Sequence, residues 1–186
     1  RARSVSVIAM SSGRAPGSQL HDAPLYRTPM PPILGLAASM PAVGQARAAL
    51  ERFTVELLDR KMYGRSRKHA ERPATQSELA SLKLAVEQAE GLLRTMVGEV
   101  MQVRDQASGR QRTRWLAATA TAVQQSRQIL ARIAQSSGAS AHFDSHPLQR
   151  AVRDVNTLSS HTVFDLDQRL ENYGRTLLGL EPEGLF

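Results

Sequence analysis

From Pro32 onward apolar residues recur at helical spacing. Met40, Val43, Leu50, Phe53 and Leu57 stand three, four or seven apart and predict a first long helix. Pro31 and Pro32 suit its first turn, where a missing N–H costs nothing, and Pro41 is expected to kink the helix or to mark its true start. A second stripe, Leu79, Leu82, Val86, Ala89, Leu93, Met96, Val100 and Val103, alternates threes and fours without a break, as the seam of a long bundle helix does. Thr75 and Glu78 read as a capping box that opens this helix, and Gly109 as its C-terminal stop. A third helix, from about residue 111 to 136, puts Leu116, Val123, Leu130 and Ile133 on one face, with Thr119 and Ser126 interrupting the stripe. Its "LAATATA" run of small side chains favours a close helix crossing over the approach of a flat ligand. A loop, a helix from about residue 147 to 162 and a last one from about 166 to 178 complete the pattern. The predicted fold class is all-α: an up-and-down four-helix bundle with an extra C-terminal helix.

The first 31 residues break this rhythm. "RARSVSVIAM" alternates weakly, as one β-strand would, and the stretch after it is rich in Gly, Pro, Ser and Asp. A lone strand leaves its hydrogen-bonding edges unpaired, so its partners are expected upstream, and the chain begins with Arg rather than Met. The expected organisation is the end of a β-domain plus linker over 1–31 and a helical domain over 32–186, in a fragment of a longer protein.

Composition narrows the function classes. With 41% hydrophobic and 22% charged residues the chain is globular, and with no Cys it has neither disulfides nor thiolate metal sites. It lacks a run of about 18 consecutive apolar residues, so a cytoplasmic protein without a membrane role is expected. A net charge of +7 would suit nucleic acid, but aromatic residues are only 4%, with one Trp, which supplies no stacking platform. Among the histidines only His142 and His146 stand four apart, in an expected loop and without a third ligand, so no metal site is predicted. Phosphate-loop, dinucleotide-fold and hydrolase-elbow signatures are missing. The basic cluster Arg60, Lys61, Arg65, Arg67, Lys68 and Arg72 reads by composition as a solvated, dipole-matched helix end rather than a phosphate site. Periodicity alone likewise places His161 as a packing or surface residue.

More specific information comes from short motifs. "RKMYG" (Arg60 to Gly64), "ATQSELASLKLAVEQAEGLLR", "QSSGA" (Gln135 to Ala139) and "LQRAVRD" (Leu148 to Asp154) resemble, in the same order, the R-x-x-F-G, Q-x-x-x-x-x-L-A, Q-x-x-G-G and E-R-x-x-R-D signatures of the C-terminal helical domain of the acyl-CoA dehydrogenase superfamily. Most dehydrogenases of that superfamily follow R-D with E-G-T, whose Glu is the base; the matching position here is Thr162. "SSH" instead places His161 where the two-component flavin-dependent monooxygenases of the 4-hydroxyphenylacetate 3-monooxygenase oxygenase type carry a histidine beside the flavin. The stretches "LHDAPLYRTP" and "ENYGRTLLGLEPEGLF" are similar to that branch as well.

The resemblance implies an oxygenase component that receives reduced FMN or FAD from a separate flavin reductase and hydroxylates an aromatic or related small molecule with O2 through a C4a-hydroperoxyflavin. His161 would be catalytic, and imidazole is the side chain whose ordinary pKa suits proton handling near neutral pH. Removing an α-proton from an acyl thioester would instead call for a desolvated carboxylate. Arg60 matches the arginine that reaches a neighbouring subunit's cofactor phosphates, and Gln135 and Gly138 match the turn that approaches the cofactor across a subunit boundary, with Ser137 a possible phosphate donor. Ala139 in place of the second Gly and Tyr63 in place of Phe depart from the pattern and favour FMN slightly over FAD. Arg153 and Asp154 are expected to form a structural ion pair. The resemblance further implies a homo-oligomer, a dimer of dimers, and no turnover by this chain alone. Two alternatives stand beside it: an acyl-CoA dehydrogenase or oxidase drawing a base from Glu78, Glu87, Glu90 or Glu99, and a non-catalytic helical assembly module.

Overall fold

The predicted third helix is the axis of the molecule. The computed structural model describes residues 16–60 and 68–184, which form α1 (Gly17–Leu20), α2 (Pro24–Arg27), α3 (Met30–Asp59), α4 (Pro73–Val103), α5 (Gly109–Ser137), α6 (Pro147–Ser159) and α7 (Leu166–Leu177). The four helices α3 to α6 make the up-and-down bundle and α7 is the additional helix; α5 packs against all four of the others. The expected strand over residues 1–10 and the cluster members Lys61, Arg65 and Arg67, with Tyr63, lie outside the described residues.

Small side chains let α5 take this central place. Ala117, Ala118, Ala120 and Ala122 are buried, and Thr119 and Ser126, which interrupt the stripe, are buried with them. Their hydroxyls donate to Leu116 O (2.9 Å) and Ala122 O (2.8 Å), so neither brings an unsatisfied group into the core. A Cβ on Gly35 of α3 would stand 3.0 Å from Thr119 Oγ1, so the crossing of α3 and α5 is as close as the small residues predict. Trp115, wholly buried among Met96 and Val100, closes the core where α4 meets α5 and donates its Nε1 hydrogen to Glu99 Oε2 (2.8 Å), a carboxylate that also holds Arg114. Of the described helices α3 alone is long and apolar enough to cross a membrane; here its face of Ala42, Val43, Ala46, Leu50, Phe53 and Leu57 forms part of the bundle core.

Several local expectations are corrected. Pro41 neither breaks α3 nor starts it, and Met40 faces solvent. Pro41 and Ala37, whose carbonyl loses its helical partner, are both exposed, so the unpaired carbonyl is open to solvent. α4 begins at Pro73 rather than at Thr75, and Glu78 does not cap it but takes a paired hydrogen bond from Arg132 of α5 (3.0 and 2.9 Å). The capping box sits instead at Ser108 and Gln111, so Gly109 opens α5 and does not end α4. α4 ends at Val103 and the chain reverses through Arg104, which takes φ 43° without being glycine. Within the expected linker, α1 and α2 are two short turns; Arg27 ties α2 to Asp105 (2.9 Å) and to Asp22 (2.8 Å), and the bond from Arg27 holds the Asp105 carboxyl below its ordinary pKa.

Candidate functional site

Two groups of predicted residues are held at opposite ends of α6. The first forms where α3 and α5 finish. Arg60 is the residue after α3, in extended backbone, and its guanidinium crosses to the end of α5, where Nη1 donates to Ser136 O (3.2 Å) and Ser137 O (2.9 Å). A cation there satisfies carbonyls that the helix leaves open and complements the negative end of its dipole. Gly138 turns the chain away at φ 74°, ψ −168°, a region open essentially to glycine, and a Cβ on it would come within 2.5 Å of Arg60 Nη2. The close approach that the Q-x-x-G motif secures is therefore to Arg60. Gln135 is exposed on the last turn of α5. Ser137 is buried, and its hydroxyl donates to Ile133 O (2.8 Å). Gly138→Ala is expected to destabilise the chain by about 1–3 kcal/mol, from the backbone region and the displaced guanidinium together. Urea unfolding checks this, and a variant as stable as the parent would rule it out.

An open groove of about 620 Å³ lies over this junction, bounded by Arg52, Phe53, Glu56, Arg60, Ser140 and His146 among others. His146 caps α6, its Nδ1 accepting from Leu148 N (3.2 Å), while its Nε2 faces Glu56 at 3.8 Å. Arg52 binds the same carboxylate (3.0 Å). Burial, followed by Arg60 and Arg72, pushes the pKa of His69 down. At the groove Arg60 is engaged by the α5 carbonyls and Arg52 by Glu56, and the first N–H of α6 is taken by the His146 cap.

The second group follows the other end of α6, about 20 Å away for a helix of 13 residues. The helix stops at Ser159, earlier than the periodicity predicts, so His161 is not helical. It starts a 3-10 turn, Thr162–Phe164, and is exposed; its Nδ1 accepts from Val163 N (3.2 Å). Phe164 anchors the turn in the core. From α7 the buried Arg169 donates Nε to Val163 O (3.1 Å) and Nη2 to Thr162 O (3.4 Å), and burial lowers its pKa although Asp165 opposes the shift. Sequence reading missed Arg169. It stands three residues before Asn172 on the inner face of α7, where both polar side chains are buried, a placement that the sequence does not announce.

The remaining candidates have structural partners. Arg153 and Asp154 are 3.8 Å apart on the exposed face of α6, with Arg150 at 3.4 Å from the same carboxylate, a set worth about 1 kcal/mol or less. Glu78 pairs with Arg132, Glu87 with Lys83, Glu90 with Arg47 and Glu99 with Arg114. No group of three or more metal-ligating side chains occurs among the described residues.

Comparison with known proteins places this geometry. The pigment production hydroxylase of Rhodococcus sp. (strain ATCC 21145) is 29% identical over 170 residues, covering 91% of this chain and 44% of the hydroxylase. The structure of 3-HSA hydroxylase from Rhodococcus sp. RHA1 superposes with a TM-score of 0.85 at 24% identity, covering 97% of this chain and 47% of that one. XiaF from Streptomyces sp., in complex with FADH2 and glycerol, gives 0.79 at 21% identity over 87% of this chain and 42% of its own. The chain thus spans about half the length of these relatives. The profile described as acyl-CoA dehydrogenase, C-terminal domain, matches residues 36–166, from the second turn of α3 to the start of α7. By that match the chain belongs to the acyl-CoA dehydrogenase C-terminal domain family.

Proposed function

We propose that this chain is the C-terminal bundle of the oxygenase component of a two-component flavin-dependent monooxygenase, which hydroxylates an aromatic or related small molecule with O2 and works in the cytoplasm with a separate flavin reductase. The observation that carries this reading is His161. The position matching the dehydrogenase base is Thr162, and beside it an imidazole is presented to solvent on a turn anchored by Phe164 and Arg169. The four glutamates that might have replaced the base are all engaged by cations. The 29% identical relative is itself a hydroxylase.

Reduced flavin, when bound, supplies the electrons that activate O2. The chain's own part is narrower. His161 offers Nε2 as a proton-exchanging group to a substrate oxygen, a role worth roughly 10²–10⁴ in rate. Arg60, whose Nη1 is committed to the α5 carbonyls, would hold a flavin phosphate through the rest of its guanidinium. Because Arg60 and His161 sit at opposite ends of α6, one flavin would take its phosphate contacts from one subunit and its histidine from another, as a dimer of dimers permits. Ala139 favours FMN, whereas XiaF holds FADH2, so titration of the complete gene product with each reduced flavin separates the two.

The test uses the complete gene product with a flavin reductase, NADH, flavin, ¹⁸O2 and a panel of phenols. One labelled oxygen atom per product is expected, and no product from the 186-residue chain alone. Flavin reduction on adding an acyl-CoA thioester, with no oxygenated product, would overturn the reading in favour of a dehydrogenase.

A further inference from the structure

We propose that Arg169 is a positioning residue that keeps the imidazole hydrogen of His161 on Nε2; the functional meaning of this rests on His161 being the catalytic group. The peptide joining Thr162 to Val163 carries the Thr162 carbonyl on one edge and the Val163 N–H on the other, held trans and coplanar. Arg169 Nη2 grips the carbonyl edge (3.4 Å), and His161 Nδ1 accepts from the N–H edge (3.2 Å). Arg169 Nε fixes the next carbonyl, that of Val163 (3.1 Å), so the plane cannot rotate without breaking a charged hydrogen bond. A neutral imidazole that accepts at Nδ1 carries its hydrogen at Nε2, and Nε2 therefore faces outward as a donor.

Energetics point the same way. Arg169 is 8% exposed, and a guanidinium is desolvated at considerable cost unless its donors are used. It remains charged when buried, and a cation on the Thr162 carbonyl polarises the peptide so that the Val163 N–H becomes a better donor. The rigid fork of donors reaches two successive carbonyls, which a lysine ammonium on a flexible stem does not reproduce.

The experiment is nitrogen NMR of the chain labelled with ¹⁵N-histidine, comparing the parent with Arg169→Gln and Arg169→Lys, with melting followed in parallel. The parent is expected to show His161 hydrogenated at Nε2, and Arg169→Gln to shift the Nε2-H to Nδ1-H ratio by roughly fivefold, the worth of one hydrogen bond. Arg169→Lys should fall between them and decides the matter if the Gln variant does not fold. Phe164→Leu, which loosens the turn without touching either carbonyl, should lower the melting temperature and leave the ratio alone. A ratio unchanged in both Arg169 variants, or a parent hydrogenated at Nδ1, would overturn the proposal. Full activity of a His161 variant would instead remove the catalytic reading and leave the tautomer result standing.

Discussion

In the complete gene product, if it acts as proposed, His161→Asn is expected to lower kcat for hydroxylation by about 10²–10⁴-fold while changing the stability of the bundle by less than about 1 kcal/mol. The two halves of this prediction have different physical origins. Asparagine is a good capping residue, and its side-chain oxygen can accept from Val163 N as the imidazole Nδ1 does, so the Thr162–Phe164 turn keeps its first hydrogen bond. What asparagine lacks is a nitrogen that takes and returns a proton near neutral pH. Reduced flavin should then still be reoxidised by O2, but to hydrogen peroxide without product. Parallel assays of product, peroxide and thermal unfolding check this. Unimpaired hydroxylation would make this bundle an assembly module, with the chemistry residing elsewhere in the protein.

The largest stability effect is expected at Trp115. Trp115→Ala should cost about 3–5 kcal/mol, against roughly 5–15 kcal/mol for a whole domain. The indole is fully buried, so truncation removes a large apolar surface from the junction with Met96 and Val100 and leaves a cavity that α-helices pinned on both sides cannot close. It also removes the Nε1 donor to Glu99, although Arg114 continues to hold that carboxylate. Trp115→Phe separates the terms: it keeps most of the volume and loses the hydrogen bond, for an expected loss of about 1–2 kcal/mol. Because this is the single Trp of the chain, unfolding should be followed by circular dichroism in urea. A Trp115→Ala midpoint within error of the parent would show that the core extends differently around this residue.

Helices α3, α4 and α5 were legible because a buried stripe repeated every three or four residues is a long-range signal that single deviations do not erase. Their ends were less legible, since each depends on a few local bonds. Arg104 turns the chain at positive φ without a glycine to announce it, and the Ser108–Gln111 box was hidden by the glycine between them. The early end of α6 has a comparable cause. Val155 and Thr162 lie seven apart and prolong the apparent stripe, but the hydroxyls of Ser159 and Ser160 both return to Asn156 O (2.8 and 3.0 Å) and compete with the next helical turn. The motif residues Arg60 and Gly138 were found by resemblance, while the reason they occur together, a guanidinium that fills the space a Cβ would take, needed coordinates. Arg169 was invisible because a buried arginine within a polar-looking helix has no periodicity of its own.

The length of α6 acts as a ruler. His146 fixes its origin beside Arg60, and the turn after Ser159 reads out its far mark at His161. One residue added inside the helix would advance that mark by about 1.5 Å and rotate it by about 100°, carrying the imidazole a quarter turn out of phase with the face it serves. Evolution of such a bundle is therefore restricted to substitution within α6.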